Sequence, residues 1–514
     1  MSDAITMARP TGSPGGTTAA KAETEAQALL DRYRAARERR SVWEGHWQDC
    51  YDHALPNGQP FRGTGTPGER RVDRLFDGTA PDAVEQLASS LLAELTPPWS
   101  RWFGLVPGPT LSDAERDRVA PMLDRAAGIV QAHLDRSNFA VEIHQAFLDL
   151  VTVGTASLLM EEAAPGAPSS LRFTAVPLAE VVLEEGAEGR LDGTYRRSEP
   201  TLAQLERRFP GADLPDEVRR RGTDEPDSRF PLVEAVLPDG LAYRWSVVLD
   251  SGLAEPRRLA EGRFAQSPFI NFRWLKAPGE TYGRSPVMKA LPDIKTANKV
   301  VELVLKNASV AVTGIWQADD DGVLNPATIR LVPGTIIPKA VGSAGLTPLA
   351  NPGRFDVSQL VLDDLRARIR HALLTDRLAP LDQPRMTATE VLERSSEMAR
   401  LLGATFGRLQ AELLNPLLLR AVAILRRRGE IPDLAVDGRI VALQQRSPLA
   451  QAQAQRDVQA TLHWLETAQQ LGPEAMATVD AAATARWLGE AFGVPAPLIR
   501  ADASPASTRE ASHA

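Results

Sequence analysis

Between Thr387 and Arg428 the chain places Val391, Met398, Leu402, Leu409, Leu413 and Leu417 at intervals of seven, four, seven, four and four. That spacing keeps one apolar seam on one side of an α-helix. Thr387 and Glu390 form a capping box at its start. Arg426, Arg427 and Arg428 complement the dipole at its end, with Gly429 placed for the left-handed C′ position. At 1.5 Å per residue such a helix is roughly 60 Å long, more than a compact domain needs. Pro416 lies inside it and predicts a kink. Whatever else this chain folds into, it must cover a seam of that length.

The whole chain, 514 residues, allows two to four domains. Residues 1–22 read as a disordered leader without the apolar core of a signal peptide. Helices are expected from Glu23 to His53, from near Asp77 to the Pro97-Pro98 stop, and over 112–136 and 138–152. From about 155 to 275 the pattern changes to short β-rich runs, SLRFTAV, EVVLE, LAYRWSVVL and FINFRWL, between Gly, Pro and Asp turns. One short helix interrupts them, opened by the capping box of Thr201 and Gln204. A β segment is expected over 309–350, with a DDDG turn, then a helix from Val357 to Leu373. A proline-bearing loop leads to the long helix. Residues 447–499 read as a small helical domain and 501–514 as a loose tail.

Four of the seven lysines, Lys289, Lys295, Lys299 and Lys306, crowd in or just past GETYGRSPVMKALPDIKTANKVVELVL. Ser285 is a good N-cap there and Pro286 suits the first helical position. Pro292 is expected to kink or restart the helix. Beyond it Ile294, Ala297, Val301, Val304 and Leu305 share one face, and Lys295, Lys299, Glu302 and Lys306 the opposite one. The lysines therefore form a stripe, which on an amphipathic helix is either a solvated face or a contact surface for an anion.

Several function classes lose support. Cys50 is the only cysteine, which excludes disulfide frameworks and cysteine-rich zinc sites and fits a reducing compartment. Basic residues number 58 against 66 acidic, a net charge of −8, so general tight DNA binding is not expected. No apolar run is long enough to span a membrane. Gly63, Gly65 and Gly68 match a dinucleotide-binding spacing, but Pro67 sits inside and no strand precedes them, so a loop is expected. No Gly-Lys dipeptide occurs, which removes a Walker-type phosphate loop. His46, Cys50 and His53, with Asp49 and Asp52 close by, have metal-compatible spacing, yet Trp43, Trp47 and Tyr51 interleave as in a packed helix. Asp319, Asp320, Asp321 and Gly322 lack the alternating ligands of a calcium loop. No catalytic residue, cofactor or metal is assigned.

Three segments carry a resemblance: LFDGTAPDAVEQLASSLLAELTPPWSRWFGL, then RWLKAPGETYGRSPVMKALPDIKTANK, then RMTATEVLERSSEMARLLGATFGRLQAELLNPLLLRAVAILRRRGEIPD, with SPLAQAQAQRDVQATLHWL as a weaker fourth. In that order, over about residues 25–500, the sequence resembles the portal proteins, or head-to-tail connectors, of short-tailed T7-like bacteriophages. The pair GETYGRSP and MTATEV is the specific part. The resemblance implies an α+β, mainly helical portal fold assembling into a ring, commonly of twelve subunits. It implies a wing over 23–284, stem helices over 285–307 and 356–373, and a β-rich clip over 308–355. A channel loop over 374–386, the long wing helix over 387–430 and a helical crown region over 431–500 complete it.

By the same resemblance the chain is expected to be a non-enzymatic channel subunit at the capsid vertex of a virion, assembled in the bacterial cytoplasm. Its expected partners are further copies of itself, double-stranded DNA without sequence specificity, the large terminase subunit, major capsid and scaffolding proteins, and head–tail adaptor or tail proteins, with no membrane contact. Lys295, Lys299, Lys306, Arg377 and Arg385 become channel-facing candidates. Leu402, Leu409, Leu413 and Leu417 become subunit-packing candidates, since neighbouring subunits would complete the seam. The alternatives are another head–tail connector or adaptor protein, and an unrecognised hydrolase with a carboxylate pair.

Overall fold

The computed structural model describes residues 16–56, 61, 72–98, 100–313, 316–318, 341, 346–348, 355–376, 403–433, 441–446, 448–491 and 494. The chain opens with α1 (Gly16–Ala54), α2 (Thr79–Leu95), β1 (Phe103–Pro107), α3 (Asp113–Arg136) and α4 (Phe139–Val153). The β-rich part follows as β2 (Thr155–Glu162), β3 (Leu171–Val176), β4 (Val181–Glu184), β5 (Gly193–Ser198), α5 (Leu202–Arg208), α6 (Asp216–Asp224), β6 (Leu232–Asp239), β7 (Ala242–Leu249), β8 (Arg257–Phe264) and β9 (Phe269–Arg273). Then come α7 (Pro286–Thr313), β10 (Trp316–Ala318), β11 (Leu346–Pro348) and α8 (Phe355–Ala372). The last described part holds α9 (Gly403–Leu409), a π-helical turn (Gln410–Leu414), α10 (Asn415–Arg427), β12 (Val441–Gln445), α11 (Pro448–Leu471), α12 (Pro473–Met476) and α13 (Ala481–Ala491).

The helix pattern read from the sequence has a direct physical counterpart. Val84, Leu87, Leu91 and Leu95, on one face of α2, are all buried. Along α1 the apolar face changes partner midway. Ala26, Leu30, Tyr33 and Ala36 cover one side of an antiparallel sheet, against Val182, Tyr195 and Val233. Trp47, Cys50, Tyr51 and Ala54 enter the main core with α2 and α4. A single long helix thus staples two cores together.

That sheet runs β4-β5-β6-β7-β8, every neighbour antiparallel. The β6–β7 hairpin closes through Gly240 and Leu241, and Gly240 takes φ +65°, which a tight two-residue turn demands of its first residue. On the face away from α1, α5 and α6 pack Leu205 and Val218 against Leu232 and Val247. The sequence had only one helix in this stretch; α6 is nine residues, of which only Val218 and Gly222 are buried, too weak a periodic signal to read. A second sheet, β3-β2-β9, is buried between the first helices and the long helix.

Two further pairings join distant parts of the chain. β1 pairs antiparallel with β12, Phe103 opposite Gln445, so the C-terminal part adds a strand that the sequence pattern did not reveal. β10 pairs with β11 across a long intervening stretch, Gln317 opposite Thr347, which is the described portion of the expected β segment. The DDDG turn and the glycines 63, 65 and 68 lie outside the described residues, as does the capping box of Thr387 and Glu390. No helix among the described residues is long and apolar enough to cross a membrane.

Pro292 does not restart α7, which runs through it from Pro286 to Thr313. The missing N–H falls near the first turns, where core contacts of Val287, Leu291 and Ile294 hold the backbone in place. The helix also extends beyond the expected clip boundary at 308. Pro416, by contrast, leaves a mark: the turn just before it is π-helical, with Asn415 N–H bonded to Gln410 O. A proline cannot donate to the carbonyl four residues earlier, and a widened turn is the usual accommodation.

Candidate functional site

The segment from β9 to α7 is the best-organised junction in the molecule, and GETYGRSP builds it. Gly283 and Gly154 pass backbone against backbone: a Cβ on Gly283 would lie 2.1 Å from the carbonyl oxygen of Gly154. Gly154 itself takes φ +78° at the end of α4. Trp274 N–H donates to Gly154 O at 2.9 Å, and Gly283 N–H to Thr155 Oγ1 at 2.8 Å. Ser285 then acts at both ends of its hydroxyl, donating to Thr152 O at 2.8 Å and capping Met288 N–H at 2.9 Å. Tyr282 accepts from Leu183 N–H at 3.0 Å and meets Trp47 edge-on. Arg284 lies over Trp43, 5.4 Å from the ring centre. The motif therefore bolts the start of α7 to α4, β2, the five-stranded sheet and α1.

Arg273, at the end of β9 and six residues before the motif, is fully buried and donates to Thr281 O at 3.0 Å and to Gly189 O at 2.8 Å. Its charge is met by Glu412, in the π-helical turn, at 2.7 Å. Neither residue stood out in the sequence, because a strand arginine and a helix glutamate so far apart give no local pattern.

From this junction α7 and α8 extend side by side. Ile294 and Ala297 of α7, and Leu362, Leu365 and Ile369 of α8, are buried. Asp293 pairs with Arg368 at 2.8 Å, and Arg366 with Asp77 at 2.9 Å. Further along α7 the burial stops: Leu303 is 49% exposed and Leu305 53%, facing water together with Leu360 at 74% and Val361 at 45%. Of the apolar face predicted for α7, Ile294 and Ala297 are buried, Val301 and Val304 half-buried and Leu305 exposed, while Leu303 lies on the opposite side of the helix. The described chain leaves an apolar surface on the projecting part of this helix pair.

The lysine stripe is present, with three of its lysines set against two carboxylates. Lys295 bonds Asp49 of α1 at 2.6 Å. Lys299 and Lys306 both reach Glu302, at 3.0 and 2.6 Å. The hydrogen bonds from Lys306 and Lys299 hold the Glu302 carboxyl below its ordinary pKa. Lys289 is exposed on the same helix. Arg377 and Arg385 lie outside the described residues.

The seam residues required a correction. Leu409 is 1% exposed, Leu413 and Leu417 are 0%, all within the single subunit. They belong to the main core, where β9 and α3 pack against the long helix, so this chain covers that part of its own seam. Leu402 lies outside the described residues.

The remaining clusters have structural explanations. Burial raises the Cys50 thiol to about 12 and lowers the pKa of His46. Among the described residues no three acidic, histidine or cysteine side chains gather as a metal site. His133, Ser169, Ser170 and Glu430 resemble a hydrolytic triad. Here His133 Nε2 reaches Glu430 at 2.6 Å while His133 Nδ1 accepts the Ser170 backbone N–H at 3.2 Å. The Ser169 hydroxyl donates instead to His133 O at 2.8 Å. A ring nitrogen already occupied by a backbone donor is not free to take a proton from serine. The cluster ties α3 and the start of β3 to the end of the long helix.

Comparison with known proteins agrees with the extent of this architecture. The family described as bacteriophage head to tail connecting protein matches residues 26–499. The chain is 28% identical over 425 residues to the probable portal protein of Bordetella phage BPP-1, covering 77% of this chain and 74% of that one. It is 24% identical to the portal protein of Salmonella phage epsilon15, over 93% and 89% of the two chains, and 21% identical to that of Escherichia phage T7, over 78% and 75%. Among solved structures, a chain of the virion of a native gene transfer agent particle aligns with 12% identity and a TM-score of 0.36, over 86% of this chain and 99% of that one.

Proposed function

The chain belongs to the bacteriophage head to tail connecting protein family, and we infer its working parts from that membership. It is a portal subunit at the capsid vertex, part of the passage for viral DNA in packaging and ejection. We propose that it assembles as a closed ring, commonly of twelve copies, around a central channel. One observation carries this reading: α7 and α8 leave Leu303, Leu305, Leu360 and Val361 in water on a single subunit. Burying such side chains is favourable by about 1.5–3 kcal/mol each, and a repeated copy is the partner that can do so around a full circle.

In this reading the junction built by GETYGRSP sets the angle at which the helix pair leaves the wing. The pair is the stem, and the β10–β11 pairing is the base of the clip. Residues 374–386 are the loop toward the channel, and α11 to α13 lie toward the crown. Lys299 and Lys306, each shared with Glu302, present a surface of small net charge. A chain of net charge −8 then lets a polyanion slide past with weak contacts, screened over about 8 Å. No catalytic role is proposed for any residue. The terminase large subunit, capsid, scaffolding and tail or adaptor proteins are the proposed partners, and the host cytoplasm the proposed place of assembly.

Negative-stain microscopy of the purified protein tests the proposal. Rings with a central hole are expected, and Leu305→Asp should reduce them while leaving a folded subunit. Compact monomers of the unaltered protein at micromolar concentration would overturn the ring assignment.

A further inference from the structure

The helix pair α7–α8 has two outer sides, and they differ in charge. α7 leads into β10 and β11 into α8, and these strands pair antiparallel, so the two helices run in opposite directions. On the side of α7 toward α8, Ile294 and Ala297 are buried and Val301 and Val304 half-buried. Lys299 and Leu303, four residues apart, share the side turned away. The Lys299 side chain is 61% exposed. On α8, Leu365 and Ile369 are buried, while Leu360, Asp363 and Ala367, at spacings of three and four, are exposed on the opposite side. Asp363 has no hydrogen-bond or ion-pair partner among the described residues. Each outer side thus pairs an exposed leucine with a charged residue, and the two charges are opposite in sign.

The two sides also match in height. Asp293 of α7 and Arg368 of α8 form an ion pair at 2.8 Å, which marks one level on both helices. Counted from it toward β10 and β11, Lys299 lies about 9 Å and Asp363 about 7.5 Å away, at about 1.5 Å per residue. Leu303 and Leu360 lie about 15 Å and about 12 Å away. A copy related by rotation about an axis running along the helices keeps every residue at its level. Placed beside this subunit, it brings its Lys299 to the level of Asp363 and its Leu303 to that of Leu360. Lys299 already meets Glu302, but Glu302 also holds Lys306. An ammonium has three donors, so Lys299 can take a second carboxylate.

We propose, resting on the ring reading above, that the lysine side of α7 on one copy docks against the aspartate side of α8 on the next. Lys299 pairs with Asp363 across the contact, and Leu303 packs on Leu360. The contact is head-to-tail. Its two faces differ and lie on opposite sides of one subunit, so it repeats from copy to copy until the rotation closes. Two like faces cannot replace it, because Lys299 would then face Lys299, or Asp363 face Asp363. DNA is the wrong partner for the α8 side, since Asp363 and the neighbouring exposed Asp364 repel phosphates.

The test uses the full-length protein in two arms. Leu303→Cys combined with Leu360→Cys should give, on oxidation, a ladder of covalent oligomers on a non-reducing gel that reductant collapses. Within one subunit the two positions lie on opposite sides of the helix pair, out of disulfide reach, and Cys50 is buried. Either single variant should run as a monomer. In the second arm, Lys299→Asp should lower the ring fraction in mass photometry by on the order of ten-fold, by setting like charges against each other. Adding Asp363→Lys should restore it. Because the two residues sit on opposite sides of the same subunit, that rescue can come only from a neighbouring copy. A neutral residue at Lys299 forgoes only an exposed pair, which contributes little, so the reversal is the informative change. Rings that form without a ladder, or stay depleted in the double charge variant, would overturn this pairing and leave the ring itself standing. A dimer from either single-cysteine variant would overturn it in favour of two like faces. An unaltered protein that forms no rings would overturn both readings.

Discussion

Arg273 and Glu412, 139 residues apart in the chain, form a charge pair at 2.7 Å, and the glutamate also receives the Arg273 backbone N–H at 3.0 Å. The arginine is fully enclosed. Glu412 lies in the π-helical turn that Pro416 imposes, where the long helix meets β9. Thus a proline that interrupts a helix coincides with the point where that helix is pinned to the strand leading into the stem. Arg408, one turn earlier, adds a second cation to Glu412 at 3.0 Å.

Neutralising this pair should be costly. Glu412→Gln removes the nearer counter-charge of the buried Arg273 guanidinium and leaves it only Glu185, at 3.8 Å, a loss of up to about 3–5 kcal/mol. Thermal unfolding of the variant, monitored by circular dichroism, should begin well below that of the unaltered protein. An unchanged midpoint would show that Glu185 with Thr281 O and Gly189 O suffices for the charge.

Gly283→Ala places a methyl group against the Gly154 carbonyl, where 2.1 Å separates the positions. Neither backbone has a flexible end to yield, so the β9–α7 junction must shift, costing about 1–3 kcal/mol or more. Reduced soluble yield and a lowered unfolding temperature are expected. Gly279→Ala, at φ +80° but with open space around it, separates backbone strain from collision. It should cost less.

Asp149 is enclosed in α4 and accepts the Tyr51 hydroxyl at 2.8 Å. Burial raises its carboxyl to about 7. In the unfolded chain the same group ionises near pH 4. Its contribution is therefore fully present below pH 4, falls as pH rises towards 7, and is lost above it. Asp149→Asn keeps an acceptor for Tyr51 without the charge. It should raise stability at pH 8 by roughly 1–4 kcal/mol and by little at pH 4, read from urea unfolding at the two pH values. A gain independent of pH would place the ionisation elsewhere.

Lys299 and Lys306 are exposed and share one carboxylate, so replacing both with glutamine should leave unfolding temperature and assembly nearly unchanged. The local charge with Glu302 then changes from +1 to −1. Packaging or retention of DNA should fall, with an effect that shrinks as salt rises. A double variant normal at all salt concentrations would make the stripe a solvated face.

Local signals were legible in the sequence because local physics makes them. Periodic apolar residues placed α2, α4 and α8 within two residues, since an amphipathic helix needs only a face to bury, whereas α1 starts at Gly16, inside the stretch expected as a disordered leader, and α7 runs six residues past its expected end. Ser285 was readable as a cap, and it bonds Met288 as such. The family, too, was legible, from GETYGRSP and MTATEV together in their order along the chain, and the first of these builds the junction between β9 and α7. What the sequence could not decide was which surface covers which. Leu409, Leu413 and Leu417 look the same whether a neighbour or the chain's own β9 and α3 bury them, and the tertiary structure assigns them to the chain itself. The lysine stripe likewise has one geometry on a helix but a net charge set by Asp49, which another helix brings to Lys295. The pairings of β1 with β12, Gly154 with Gly283 and Arg273 with Glu412 depend on contacts across more than a hundred residues. Periodicity carries no trace of a partner that distant, so only the packed chain determines it.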